Sequence, residues 1–105
     1  MNSNKYEMIF CIVNAGFAVE AMEAAKKAGA TGGTILRARG TANPEAEEFY
    51  NISFQPDKEI LWIIAPKEIK DDIMHILYQE VGLNTPGKGI AFSIPVSHAV
   101  GLHED

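Results

Sequence analysis

From residue 82 to residue 89 the chain reads Gly-Leu-Asn-Thr-Pro-Gly-Lys-Gly. Glycines on both sides of Lys88 strip side chains from the backbone, so amides and one ammonium can approach an anion together. Gly87, Lys88 and Gly89 are therefore candidate ligand residues, weighed against the plainer reading of a turn into the next strand. The stretch comes close to the phosphate-binding pattern G-x-x-x-x-G-K-[ST] and departs from it twice. Gly89 stands where a hydroxyl would have to reach magnesium, and the loop runs from helix to strand, the reverse of the order such a loop needs. Nucleotide hydrolysis of that kind is not expected.

The other chemistry-bearing residues are few. His75 follows Asp71 by four positions and Asp72 by three, which puts all three on one helix face. With no second His or Cys near in sequence, this is a solvated charged cluster and not a metal site. His98 and His103 lie in a C-terminal tail with Glu104 and Asp105; a weak metal grip is the most they offer, and no metal site is expected. The single cysteine, Cys11, sits in an apolar run with no adjoining cation, the setting of a buried, unreactive thiol. No Ser-His-Asp or Cys-His arrangement has a local signature, and no paired carboxylates lie in apolar runs. The chain is not expected to be an enzyme, and no catalytic residue is assigned.

The positioning elements centre on residues 29–40. A helical pattern stops at Gly29, Gly32-Gly33 permits a tight reversal, a strand follows, and Gly40 releases the chain into a polar acidic stretch. Period-two alternation sends Thr34, Leu36 and Ala38 one way and Ile35, Arg37 and Arg39 the other, so two cations share a face. Arg39 is a candidate anion contact. It also has the option of pairing with Glu45, Glu47 or Glu48 and holding the following loop closed.

Upstream, Tyr6–Val13 is an almost unbroken apolar run of strand formers and reads as a central strand. Phe17 to Ala28 places Phe17, Ala21, Ala24, Ala25 and Ala28 at helical spacing, a small-residue face suited to close packing on a sheet. Downstream, Thr41–Glu48 is acidic and carries an Asn-Pro step, which reads as an exposed loop. Phe49–Phe54 and Glu59–Ile64 are strand-like, either one strand kinked at Pro56 or two. Pro66-Lys67-Glu68 opens a second helix with Ile69, Ile73, Ile76 and Leu77 as its inner stripe, and Gly82 ends it. Gly89–Val96 is the last strand. Strand, helix, strand, strand, helix, strand is the order of the α+β ferredoxin-like βαββαβ arrangement, an antiparallel sheet with two helices on one face. Apolar side chains on both faces of the central strand leave one face uncovered, so a homo-oligomer is expected.

The 105 residues, with 47% hydrophobic content, are enough for one domain spanning 1–105 with a modest core. A formal net charge of -5 argues against nucleic acid or an anionic membrane surface as a partner. No run approaches the length of a membrane span, and cysteine usage fits a reducing cytoplasm.

The run from Ala21 through Thr41, with A-G-A-T-G-G-T-I-L-R-A-R-G-T, and the later T-P-G-K-G-I-A-F-S-I-P-V resemble PII-like signalling proteins, relatives of the nitrogen regulatory protein P-II family. The likeness runs from the first strand through Val96. It implies a homotrimer with ligands in clefts between subunits, and a flexible T-loop, here between Gly40 and about Asn51, whose posture reports occupancy to a protein target such as an enzyme or transporter. It further implies Thr34 as the adenine-contacting threonine, Gly40 as the glycine that opens the loop, and Gly87, Lys88 and Gly89 as the phosphate side. The implied effector is an adenine nucleotide: ATP, ADP or AMP. Thr34 and Arg39, placed near the end of their strand, would then face Lys88 of a neighbouring subunit.

The departures are specific. The phosphate loop of the family reads G-D-G-K where this chain has P-G-K-G, and Ser97–Leu102 contains no arginine where the family is arginine-rich. The loop is short, and Tyr50 is expected in strand, outside the tyrosine context used for nucleotidylylation. Trp62 stands where a glutamate often lines the cleft. The functional expectation is a small-molecule-sensing regulator with an anionic effector. The alternative is a CutA-like metal-binding protein or a small oligomeric ferredoxin-like enzyme, which a metal cluster or a pKa-shifted acid or base in a cleft would indicate.

Overall fold

Strand β1, Tyr6–Asn14, buries Glu7, Ile9, Cys11 and Val13 and leaves the residues between them half-buried. A strand with apolar side chains at both parities has two faces to cover, and here only one is covered by helices. Strand β2, Thr34–Arg39, strand β3, Asp57–Pro66, and strand β4, Gly89–Pro95, complete a four-stranded sheet in the order β2-β3-β1-β4, with every neighbouring pair antiparallel. The computed structural model describes residues 5–86 and 88–102; Gly87 and the tail residues His103, Glu104 and Asp105 lie outside the described residues.

Helix α1, Ala18–Lys27, lays Ala18, Ala21, Met22, Ala24 and Ala25 against the sheet. The alanines let the helix approach closely, as their spacing predicts. The longer C-terminal helix contributes Ile73 and Leu77, which meet Ile9, Cys11, Val13, Leu61 and Ile63 in one core between helices and sheet. Each large side chain fully buried there stabilises the fold by about 1.5–3 kcal/mol relative to an exposed one. Burial pushes the Cys11 thiol up to about 11, because a thiolate loses its hydration in this core, so the group stays protonated and inert at neutral pH. The architecture is the expected ferredoxin-like βαββαβ.

Three details differ from the sequence expectation. Phe17 stands before the first turn of α1 and is half exposed, so the inner face of that helix is built by alanines and Met22 without it. A short 3-10 turn, Lys67–Ile69, precedes the C-terminal helix, which begins only at Lys70. The largest difference is in the acidic stretch, where Pro44–Tyr50 forms helix α2 and residues 52–56 are irregular. Asn43 caps α2 by accepting the Ala46 N–H at 3.2 Å, and Pro44 occupies the first turn, where a missing N–H is harmless. Asn51 ends the helix in the left-handed region with φ 55°. Tyr50 is thus in helix and not in strand. The C-terminal helix, Lys70–Glu80, is α3 below.

The sheet face turned away from α1 and α3 is apolar and open. Leu36, Trp62, Ile64, Ile90, Phe92 and Ile94 are exposed on it. Phe10 links the strands across its middle, with its ring centroid 5.2 Å from Trp62 and 5.0 Å from Phe92.

Candidate functional site

Register decides which candidate residues share a place. Arg37 is opposite Glu59, Glu59 opposite Val13, and Val13 opposite Gly89, so the start of β4 and the end of β2 lie at the same end of the sheet. They occupy its two outer edges, about 14 Å apart across three strand spacings. Within one chain Lys88 and Gly89 therefore do not meet Arg39 and Gly40. Thr34 opens β2 and pairs with Trp62, while Arg39 closes the strand about 17 Å away and on the other face. Thr34 is thus at the start of the strand and not near its end.

Arg39 Nη1 lies 3.8 Å from Asp57 Oδ1, its cross-strand partner, and both side chains are largely exposed. This replaces the expected alternative of a pair with Glu45, Glu47 or Glu48. An exposed pair of this kind contributes little to stability, so the guanidinium can exchange Asp57 for a better anion at small cost.

The Gly82–Lys88 turn is more committed than its glycines suggest. The Thr85 N–H donates to Gly82 O at 2.9 Å and the Lys88 N–H to Thr85 O at 3.4 Å. These two amides are not free for an anion, and the ammonium of Lys88 becomes the main polar feature of the turn. Gly89 has φ +149°, and a Cβ there would collide with the Ile12 carbonyl oxygen. Its glycine identity is thus required by close packing of β4 on β1. Gly87 lies outside the described residues. Lys88 is exposed beside a small hollow of about 200 Å3 that Asn14, Phe17, Glu20, Glu80 and Val81 also line.

Beyond Gly40 the chain is folded onto itself. The Gly40 N–H donates to Pro56 O at 2.8 Å, closing the neck of the loop. Glu47 Oε2 accepts the Phe54 N–H at 3.1 Å, and Lys58 Nζ lies 5.1 Å from the Phe54 ring centroid while donating to Asn14 Oδ1 at 2.6 Å. Helix α2 carries Phe49 and Tyr50 outward as an edge-on pair, with Phe49 81% exposed.

Two features could not be read from residue spacing. Glu59 Oε1 accepts the Gly16 N–H at 2.9 Å and the Ala18 N–H at 3.1 Å, capping α1 from another strand because the residue before that helix, Phe17, has no capping oxygen. Glu59→Ala is expected to destabilise the fold by about 1–2 kcal/mol, with Glu59→Gln costing less, as read by urea unfolding. The second is a hollow of about 510 Å3 on the open face, lined by Thr31, Thr34, Leu36, Trp62, Ile64 and Leu102 together with Gly32 and Gly33. Gly33 lets the turn sit close to β3: a Cβ there would lie 3.0 Å from Leu61 Cδ1 and Met22 Sδ and 3.1 Å from the Trp62 carbonyl oxygen, so those neighbours would have to give by a few tenths of an ångström.

Among the described residues no three His, Cys, Asp or Glu side chains gather as a metal site would require. His75, Asp71 and Asp72 stay exposed, and Asp71 pairs with Lys70 at 3.0 Å. No helix among the described residues is long and apolar enough to cross a membrane.

No protein-family model matches this chain, and no curated protein matches it. Solved structures do. A Thermus thermophilus protein described as a PII-like signaling protein superposes with a TM-score of 0.65 at 20% identity, covering 91% of this chain and 90% of that one. Arabidopsis thaliana PII bound to citrate gives 0.67 at 20% identity, over 89% and 76% of the two chains. The B. subtilis GlnK-ATP complex gives 0.64 at 15% identity, over 92% and 86%. At these identities the likeness establishes the fold, and the chain has the PII-like fold.

Proposed function

We propose that this protein is a small-molecule-sensing regulator that binds an anionic effector in clefts between subunits of a homotrimer and signals to a protein target through residues 40–51. The observation that carries the proposal is the placement of Arg39 and Gly40 on one outer edge of the sheet and Lys88 and Gly89 on the other, at the same end. A ring of copies meeting edge to edge, rotated about an axis along the strands, keeps those ends level and sets one subunit's Arg39 against the next subunit's Lys88. The open apolar face then turns inward and is covered by the other copies. Thr34, at the far end of the same edge strand, meets the other end of an elongated effector, and the hollow beside Trp62 takes its ring. Adenine nucleotides, ATP, ADP or AMP, supply such a ring and the anionic charge, and the extended triphosphate comes nearest to the roughly 17 Å between Thr34 and Arg39. Two of the structural neighbours were solved with anions, one with citrate and one with ATP.

Signalling falls to the unit closed by Gly40, whose acidic helix α2 displays Phe49 and Tyr50 to a target enzyme or transporter. The protein acts as a regulator and not as a catalyst. Calorimetry tests the effector site. Lys88→Ala is expected to weaken binding of the adenine nucleotide that the wild type prefers by about 10- to 100-fold, because one charge-assisted bond is worth about 1.5–3 kcal/mol. Assembly and unfolding should be unchanged, since Lys88 is exposed. Equal affinity in the two proteins removes Lys88 from the site, and a wild type that binds neither nucleotide nor citrate overturns the effector proposal.

A further inference from the structure

The unit between Gly40 and Pro56 is tied to the rest of the fold at few points. The Gly40 N–H on Pro56 O closes its neck, and inside it Asn43 bonds Ala46 while Glu47 bonds Ile52 and Phe54. Helix α2 buries no residue. Among the described residues, no hydrogen bond or ion pair joins residues 41–55 to the sheet or to α1 and α3. What reaches the unit from the sheet is Lys58, the second residue of β3, opposite Asn14 of β1 and Ala38 of β2. Its Nζ stands 5.1 Å from the Phe54 ring centroid and donates to Asn14 Oδ1 at 2.6 Å. Gly40 makes room for this contact, since a Cβ there would lie 3.3 Å from both Lys58 Cε and Phe54 Cζ. The Phe54 N–H is held in turn by Glu47 of α2, which ties the ring to the helix.

We propose that Lys58 is the positioning residue of the 40–56 unit: its ammonium clasps Phe54 to Asn14 and so fixes where α2 points, and an anion bound beside Lys88 opens the clasp by drawing that ammonium to itself. Two observations give the clasp this second property. The charge of Lys58 is unpaired, because among the described residues no carboxylate lies within ion-pair distance of it, and its partners are a neutral amide oxygen and a ring face. Asn14, the acceptor, is also a wall of the hollow beside which Lys88 stands, so the ammonium borders the place of the proposed anion. An ammonium gains more from an anionic oxygen than from an amide oxygen, because a full opposite charge adds to the hydrogen bond. Once it is withdrawn, the Phe54 ring loses its cation, and the unit keeps only its neck. The opening rests on the effector proposal above; the clasp itself does not.

Cys11 is the single cysteine and is buried, so a spin label attached at Glu48→Cys, an exposed position of α2, reports on that helix alone. In the full labelled chain, Lys58→Met keeps the stem against Gly40 and removes the ammonium, and should raise the mobile fraction of the EPR spectrum about twofold, whereas Lys58→Arg keeps a cation over the ring and should stay near the wild type. Asn14→Ala leaves Lys58 in place and should shift the spectrum in the same direction as Lys58→Met. ATP at a concentration shown by calorimetry to saturate should bring the wild-type spectrum to that of Lys58→Met and leave the Lys58→Met spectrum unchanged. Equal mobile fractions in the wild type and Lys58→Met overturn the clasp. ATP that binds and leaves the wild-type spectrum unchanged, or that mobilises the label equally in Lys58→Met, overturns the opening. Absence of ATP binding overturns the effector proposal and the opening with it, while the ligand-free spectra still decide the clasp.

Discussion

Gly89→Ala is expected to lower the thermal unfolding midpoint by about 12–24 °C, corresponding to about 3 kcal/mol or more at this chain length. Two independent causes add. The backbone at Gly89 sits at φ +149°, where L side chains are rarely found, and the new Cβ would point into the Ile12 carbonyl oxygen. That oxygen belongs to the middle of the sheet, where Ile12 pairs with Ile60 on one side and Ile90 on the other, so it cannot withdraw without opening two ladders. Neighbouring Lys88→Ala is the control, because that side chain is exposed. Circular dichroism melts of both variants at one protein concentration make the comparison. A fall of only a few degrees would mean that β4 can shift away from β1, and that the glycine is not needed for packing.

The second large effect concerns assembly. Phe92 stacks on Phe10 at 5.0 Å in the middle of the open face. In the proposed trimer that face is the interior, so Phe92→Asp would bury a carboxylate among Trp62, Ile90 and Ile94 with no cation opposite it. Burial of an unpaired charge costs several kcal/mol per subunit, repeated at each subunit of the ring. The variant should sediment as a single chain of 11.5 kDa at micromolar concentration, while the wild type sediments at about three times that mass. The single-chain core lies on the opposite face, around Ile9, Leu61, Ile73 and Leu77, so helical content should survive. A variant that keeps the wild-type mass, or a wild type already at the mass of one chain, rules out the inward-facing sheet.

Much of the fold was legible because periodicity and punctuation carry it. Met8–Val13 marks a two-faced central strand, Ala21, Ala24 and Ala25 a close-packed helix face, and Gly29 and Gly82 the helix ends. Helix α2 escapes the sequence reading for a local reason. The Asn43-Pro44 step reads as a loop when proline is weighed only as a helix breaker, whereas Asn at the cap and Pro in the first turn are a helix start. The restriction that proline imposes falls on the residue before it, and here that residue is the cap itself. Contacts that depend on register had no local signal at all: Glu59 caps α1 across 41 and 43 residues of sequence, and Arg39 finds Asp57 only because β2 and β3 align as they do. The candidate site was legible as residue types and not as geometry. The resemblance groups Thr34 with Arg39 near the end of one strand, and the strand holds them at opposite ends and on opposite faces.

The shared cleft is tested most directly by mixing two defective proteins. Lys88→Ala removes the ammonium from one side of the proposed cleft, and Arg39→Ala removes the guanidinium from the other. Each variant alone should bind the preferred adenine nucleotide about 10- to 100-fold more weakly than the wild type, if each loses one charge-assisted bond. When the two are unfolded together, refolded as mixed assemblies and titrated by calorimetry, some clefts should receive Arg39 from one subunit and Lys88 from its neighbour. A fraction of sites with wild-type affinity should then reappear. If the mixture titrates as the plain sum of its two parents, the two residues do not share a cleft between subunits.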